Sequence, residues 1–319
     1  MTDIGKAVAF FDMKGPYLLT THVSADGDGV GAVLGMAHWL TQTGRTCKIV
    51  VHDEKADAKF SFLPGFDTIT PFDSLENKEP FSRAVVMDTL TYSEKRIGKV
   101  SSLITDQTRV LVIDHHAGEA LDGDVRFIDS GGSAASELVY HLIRAARGEI
   151  SAEIATCLYV GIAFDTKLFK YSHPERALPV AAELVSLGAD PQKIADDLFS
   201  HQTLATVETL GFALSHLTLH AEGRICVLFI DHATYAKEGD LDPIVDHAMS
   251  IDGVEVALFF KEEIPGLQRV SLRSRGAVDV NAVANQFDGG GHKRASGCTI
   301  EGSVEEVRDS LLAVLETQL

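Results

Sequence analysis

Cysteine is scarce in this chain, and what there is stands apart. Cys47, Cys157, Cys226 and Cys298 are the whole set among 319 residues, and no two form a CxxC pair. That spacing argues against a disulfide framework and against a thiolate zinc site, and a reducing cytoplasmic setting is expected. Long apolar runs are missing too. None approaches the roughly 20 residues that a bilayer span requires. The first residues, MTDIGKAVAFFDMKGP, carry acids and no cleavage pattern, so export and a membrane partner are not expected. Positive charge is short as well: 28 Lys and Arg face 46 Asp and Glu, for a net charge of −18. Such a field repels long polyanions and argues against a module that binds long DNA. A small phosphate ester still binds where local cations or metals reverse the field.

What is present is an ordinary globular composition, 45% hydrophobic and 23% charged, long enough for two domains with cores of their own. In the first half, apolar strand-like runs alternate with helical ones: YLLTTH, CKIVVHD, RAVVMD, RVLVID and VRFID are separated by segments such as GVGAVLGMAHWLTQT and SAASELVYHLIRAARGE. This alternation predicts an α/β fold, a mostly parallel sheet with helices on both faces. The second half reads as three strands (RICVLFID, EVALFFKEE, QRVSLRSR), a helix, a glycine loop and a last helix, which suggests a smaller mixed α/β domain. We expect a first domain over 1–190, a helical connection over 191–220 and a second domain over 221–319.

Open parallel sheets bind ligands beyond the carboxyl ends of their strands. The expected strand ends here are rich in ligand types. The first stops on His22, with Asp26 and Asp28 just beyond; others stop on Asp88 and on Asp114, which His115 and His116 follow; Asp165 closes the run GIAFD. Any one acid at such a place is ordinarily a turn former or helix cap, and a lone histidine is ordinarily structural, as we take His38, His52, His141 and His173 to be. The coincidence at several ends is what points to function. Carboxylates gathered in one crevice repel each other, and divalent cations relieve that repulsion. Oxygen and imidazole donors suit manganese, magnesium, iron or cobalt. Asp88 is central enough to bridge two ions.

Two glycine-rich stretches compete for attention. GDGVGA (27–32) fits the dinucleotide fingerprint, and Asp53 closes the next strand where a ribose-binding acid would sit. Against this, Asp26 and Asp28 would crowd a helix N-terminus meant for a pyrophosphate, whereas they suit a metal. Near the other end, DGGGHKRASG (288–297) sets three glycines before His292, Lys293 and Arg294. A glycine loop admits close approach of a ligand, the cations suit a phosphate, and Arg273 and Arg275 add positive charge; a plain flexible turn accounts for the same residues.

Taken together, these stretches resemble the DHH phosphoesterase family. H22-V-S-A-D26-G-D28, VVMD88, D114-H115-H116 and GIAFD165 resemble its motifs in order, and GGGH-x-x-ASG resembles the signature of its associated C-terminal domain. The resemblance implies two divalent ions, Mn2+ first with Mg2+ or Co2+ as alternatives. His22, Asp26 and Asp88 would hold one, and Asp28, Asp88, His115 and Asp165 the other. Asp114 would orient a neighbouring imidazole, and His116 would face the substrate phosphate. Gly290, Gly291, His292, Lys293, Arg294, Ser296 and Arg273 would bind substrate, with the two domains closing around it. The implied chemistry is two-metal phosphoester hydrolysis with in-line attack at phosphorus. The layout resembles the short oligoribonuclease and pAp phosphatase group, which acts on very short RNA, linear dinucleotides or pAp as a monomer or homodimer. A cyclic-dinucleotide phosphodiesterase is the first alternative, and a nucleotide-sensing module that does not catalyse is the second. FKY at 169–171 resembles a stretch whose aromatics stack a base, although core packing explains them equally; DTKLFKY departs from the group, which more often has a small residue near Leu168.

Overall fold

A computed structural model of the chain describes residues 4–13, 15–118, 122–170, 173–199, 203–235, 241 and 244–319, with the backbone alone at Phe199 and His292. The chain divides into two compact units, Met1–Ser200 and His201–Leu319. No helix among the described residues is long and apolar enough to cross a membrane.

The first unit runs α1 (Ile4–Ala9), β1 (Tyr17–Thr20), α2 (Gly27–Gln42), β2 (Cys47–Val51), β3 (Ile69–Pro71), β4 (Arg83–Met87), α3 (Glu94–Ile97), β5 (Arg109–Asp114), β6 (Val125–Ile128), α4 (Ala135–Ala145), α5 (Ala152–Asp165), α6 (Pro174–Ser186) and α7 (Pro191–Phe199). Its strands lie in the order β3-β2-β1-β4-β5-β6, all parallel. Strand side chains alternate between the faces. Leu19, Ile49, Val85, Leu111 and Ile113 pack with α2, α4 and α5. Leu18, Val50, Val86, Val110 and Val112 pack on the other face against Ile97, Val100 and Leu103. Each such side chain contributes roughly 1.5–3 kcal/mol on burial, so the strands read as unbroken apolar runs and end where polar residues begin. The chain leaves β1 toward β2 on one side and later returns to β4 on the other. The crevice beyond β1 and β4 is therefore the topological switch point, where open sheets of this kind take ligands.

The second unit contains α8 (Leu204–Ser215), β7 (Thr218–His220), β8 (Ile225–Ile230), α9 (His232–Tyr235), α10 (Ile244–Met249), β9 (Val256–Ile264), β10 (Leu267–Ser274), α11 (Val280–Ala284), β11 (Gly290–His292), β12 (Ala295–Glu301) and α12 (Val304–Leu315). Its strand order is β11-β12-β10-β9-β8-β7, antiparallel except for β8 beside β9.

Three expectations change. Asp165 ends a helix, not a strand, because GIAFD is the last part of α5. The stretch DGGGHKRASG is not a plain loop: Gly290–His292 and the ASG residues pair as strands β11 and β12, joined by a turn at Lys293 and Arg294. The second sheet has six strands where three were expected.

The glycines of GDGVGA have a packing role. A Cβ on Gly27 would lie 2.4 Å from the Phe164 ring, and one on Gly31 would lie 2.5 Å from the Cys157 carbonyl oxygen and 3.0 Å from the Gly161 nitrogen. They let α2 and α5 approach backbone to backbone. Gly31→Ala is expected to destabilise the first unit by roughly 1–3 kcal/mol through overpacking, lowering the melting temperature by about 3–10 °C. A melt indistinguishable from wild type in differential scanning calorimetry would contradict this packing role.

Candidate metal centre

Four backbone segments converge at the switch point. After β1 the chain turns through 21–26. Asp53, just past β2, accepts hydrogen bonds from the amides of Ser24 (3.0 Å) and Ala25 (3.2 Å), which pins that turn. Asp53 thus serves the loop. Asp26 caps α2, its Oδ1 accepting from the amides of Asp28 (2.9 Å) and Gly29 (3.3 Å). Asp28 points inward and is fully buried. Its carboxylate accepts from the Ala135 amide (2.5 Å) and the Ser136 amide (2.9 Å) in the first turn of α4, where a helix dipole favours an anion.

Asp88 follows β4 in the left-handed region, at φ +61°. An L-residue with a side chain rarely rests there, and such strain concentrates at functional sites. The conformation sends the two carboxylate oxygens to different neighbours. Oδ2 lies 3.3 Å from His22 Nε2, which is also 3.9 Å from Asp26 Oδ1. Oδ1 lies 3.6 Å from His115 Nε2, which is also 3.8 Å from Asp28 Oδ2 and 3.7 Å from Asp165 Oδ2. Asp114, fully buried at the end of β5, takes the amides of His115 (2.8 Å) and His116 (3.2 Å) and bonds His116 Nδ1 at 2.8 Å, all through Oδ1. His22 Nδ1 meets the Val23 carbonyl at 2.8 Å and His115 Nδ1 the Gly132 carbonyl at 3.4 Å. A ring whose Nδ1–H donates to a carbonyl turns an Nε2 lone pair toward the carboxylates, the usual arrangement of a metal-binding imidazole.

The donor set fits divalent ions. Asp88 Oδ1 and His115 Nε2 are buried and lack a hydrogen-bond partner among the described residues, as does Asp114 Oδ2. Ligands about 2.1 Å from an ion stand about 3.0–3.4 Å from one another. The separations around His22, 3.3 and 3.9 Å, are close to that, as are those around His115, which at 3.6–3.8 Å are too long for hydrogen bonds. The groups of potential ligands are His22, Asp26 and Asp88 on one side and Asp88, Asp114, His115 and His116 on the other, with Asp88 in both. Asp28 and Asp165 face the second group through His115.

The electrostatics agree. Burial opposes charging His22, but attraction to Asp26 and Asp88 outweighs it and lifts the ring to about 11. Burial likewise opposes charging His115, and Asp88, Asp28 and Asp165 lift it to about 10. Burial disfavours ionised Asp88, yet the facing His115 and His22 hold it well below the usual carboxylate range. Asp28 is pushed up by burial and by Asp88. Asp165 is pushed up to about 6 by burial, with His115 pulling the other way. Protons on the imidazoles thus supply the counter-charge that bound dications would replace.

A second layer was not legible as functional. Glu137 is fully buried in α4. Its Oε2 takes the amide (2.7 Å) and hydroxyl (2.6 Å) of Ser133, and its Oε1 takes Arg176 Nε (2.9 Å) and Nη2 (2.6 Å). Arg176 Nη1 also bonds Asp129 at 2.8 Å, and the Asp129 amide donates to the Asp114 carbonyl at 3.1 Å. This network holds the 129–136 segment that contacts Asp114, His115 and Asp28. The sole signal in the sequence is a Gly-Gly turn followed by Ser133 and an acid four residues on.

In the second unit, strand register sets Arg273 opposite Ala295, Ala295 opposite His292, and Ser296 opposite Gly291. Ser296 is buried, and Lys293 and Arg294 are exposed at the turn. The side chain of His292, and Tyr171 of the FKY stretch, lie outside the described residues. Phe169 packs in the core against Tyr159, which favours the packing explanation for that ring.

Residues 17–162 match the model of the DHH family, N-terminal domain, and residues 222–319 match the DHHA1 domain. The chain carries a DHH domain and a DHHA1 domain. Among relatives, it is 29% identical to the bifunctional oligoribonuclease and PAP phosphatase NrnA of Thermus thermophilus over 96% of this chain and 91% of that protein. It is 28% identical to the NrnA of Bacillus subtilis, over 99% and 97%. Among solved structures, an exopolyphosphatase-related protein from Bacteroides fragilis superposes with a TM-score of 0.90 at 26% identity, covering 98% of this chain and 96% of that one. RecJ of Thermus thermophilus in complex with Mn2+ has a TM-score of 0.57 at 14% identity, covering 98% and 54%, a likeness of fold. The α/β architecture of this DHH chain and its parallel sheet flanked by helices are thus common to the group.

Proposed function

We propose that this DHH protein is a two-metal phosphoesterase that hydrolyses very short oligoribonucleotides, linear dinucleotides or pAp to 5′-mononucleotides. The observation that carries the reading is Asp88, whose two oxygens face two separate histidine–carboxylate groups. The relatives whose names record oligoribonuclease and PAP phosphatase activity, matched nearly end to end, supply the substrate class.

His22, Asp26 and Asp88 would hold one ion, and Asp28, Asp88, His115 and Asp165 the other, with Mn2+ the first choice. When bound, such a pair activates water for attack on phosphorus and offsets charge on the phosphoryl oxygens. The chain's own residues do the rest. Asp114 fixes the His116 ring through Nδ1, which directs Nε2 to the substrate phosphate. Burial disfavours charge on His116, but Asp114 raises its affinity for a proton, so it can donate to a phosphoryl oxygen as negative charge develops. The hairpin residues Gly290, Gly291, His292, Lys293, Arg294 and Ser296, with Arg273, would take the non-reacting part of the substrate.

The test is a hydrolysis panel on the full chain: pAp, RNA of two to five nucleotides, pGpG, pApA, cyclic dinucleotides and pyrophosphate, each with Mn2+ or Mg2+. Mononucleotide release from pAp and short RNA, dependent on added metal, is expected. Turnover confined to cyclic dinucleotides would move the protein to the other branch of its family. Absence of turnover across the panel would overturn the enzymatic reading.

A further inference from the structure

The edge of the metal centre carries two lysines that none of the roles above uses. Phe164, the residue before Asp165, lies against Gly27, the residue between Asp26 and Asp28; a Cβ there would meet its ring at 2.4 Å. Over this same ring stand two ammonium groups. Lys167 Nζ is 4.6 Å from its centroid and Lys59 Nζ is 5.0 Å from it. Lys59 is also 5.1 Å from the ring of Phe60, which is buried and meets Phe164 edge-on at 5.6 Å. The two lysines come from different places, one from the connection after β2 and one from the turn after α5.

That turn is unusual. Lys167, Leu168 and Phe169 are all left-handed, at φ +49°, +56° and +64°. Residues with a Cβ rarely rest in this region, because the Cβ crowds the following carbonyl oxygen. Hydrogen bonds hold it: the Leu168 amide to the Ala163 carbonyl (2.8 Å) and the Phe169 amide to Thr166 Oγ1 (2.9 Å). This turn brings Lys167 back over the ring of Phe164, the residue before Asp165. One cation–π contact explains one lysine. Both ammonium groups lie within 5.0 Å of this ring's centroid, and Lys59 also pairs with Asp57 at 3.4 Å. In a chain of net charge −18, local positive charge at this place suits an anion.

We propose that Lys59 and Lys167 form a subsite for a second phosphate of the substrate, the one not being cleaved. This rests on the proposed phosphoesterase reading. The shared chemistry is a phosphate one nucleoside or less from the metal-held group, as found in a nucleoside bisphosphate or in the backbone of a short oligonucleotide.

The test is equilibrium binding by calorimetry to the full chain, with Ca2+ in place of Mn2+ to limit turnover. The ligands are AMP, pAp and a 5′-phosphorylated trinucleotide; the variants are Lys167→Gly, Lys59→Gln and the double. Lys167→Gly relieves a left-handed residue, so a melting temperature equal to or above that of wild type is expected. We expect pAp or the trinucleotide to bind roughly tenfold more weakly to each single variant, with AMP changed less than about threefold; a charge-assisted contact is of this size. Loss confined to pAp identifies a bisphosphate, loss confined to the trinucleotide a backbone phosphate, and both support the subsite. Losses for AMP equal to those for pAp and the trinucleotide, no loss in the double variant, or binding of neither pAp nor the trinucleotide by wild type would overturn it. Selective loss in a protein that hydrolyses nothing in the panel would leave the subsite standing and the enzymatic reading refuted.

Discussion

Asp88→Asn is expected to lower phosphodiester hydrolysis by at least about 10³-fold, a loss of about 4 kcal/mol of transition-state stabilisation, and to abolish the stabilisation expected of wild type on adding Mn2+. The side chain is the one whose oxygens serve both ligand groups, at 3.3 Å from His22 Nε2 and 3.6 Å from His115 Nε2. An amide keeps the shape and one oxygen but supplies no negative charge, so neither of the two proposed ions would retain its full set of donors. Asparagine also tolerates the left-handed backbone that Asp88 adopts, so the apo fold survives. Metal that binds only the folded state raises stability by roughly 2.7 kcal/mol at 100 times its Kd. Wild type should therefore melt several degrees higher with saturating Mn2+, and the variant should not. Residual activity within tenfold of wild type, together with an unchanged Mn2+ shift, would remove Asp88 from the centre of the reaction.

The parts of this centre that were legible are those that short-range pattern can carry. RVLVID and RAVVMD are buried strands, and their last or next residues face the crevice because the sheet is parallel and all its strands end there. Asp165 was misplaced on a strand because a short apolar run such as GIAFD has the same look in a strand as in a helix buried on all sides, and α5 is buried along nearly all of its length. The spacing of Gly27, Gly29 and Ala32 imitates a nucleotide fingerprint, and the glycines of this stretch, Gly31 included, have another origin. That origin is a helix and a strand end pressed against the stretch: Cys157, Phe164 and Thr21 occupy the space where side chains would be. No local reading finds a partner more than a hundred residues away. The hairpin at 290–297 was hidden for the opposite reason. Glycine normally signals a loop, but Gly289 and Gly291 are required here because the facing strand lies within 2.3–2.6 Å of any Cβ.

The same limit hid Arg176 and Glu137, and their removal has the second large effect. Arg176→Ala is expected to destabilise the first unit by roughly 3–5 kcal/mol, the usual cost of leaving a buried charge without its partner. Glu137 is fully buried in the intact chain, and without the guanidinium its carboxylate keeps only Ser133 and His141 as partners. Burial alone would raise its pKa; instead His141, Ser133 and Arg176 hold it at about 2. A depressed carboxyl stabilises the folded state above its unfolded value, near 4.5, and that stabilisation is lost as pH falls through about 2. The difference in melting temperature between wild type and Arg176→Ala should therefore be greatest near neutral pH, at roughly 6–20 °C, and should shrink steadily below about pH 4. Because Ser133 and the α4 amides follow Glu137, the variant should also bind Mn2+ more weakly, by about 10–100-fold as for other groups that orient metal ligands. A difference in melting temperature that does not change between pH 7 and pH 3 would show that Arg176 acts through packing and not through the Glu137 charge. Unaltered Mn2+ affinity would separate this network from the metal centre.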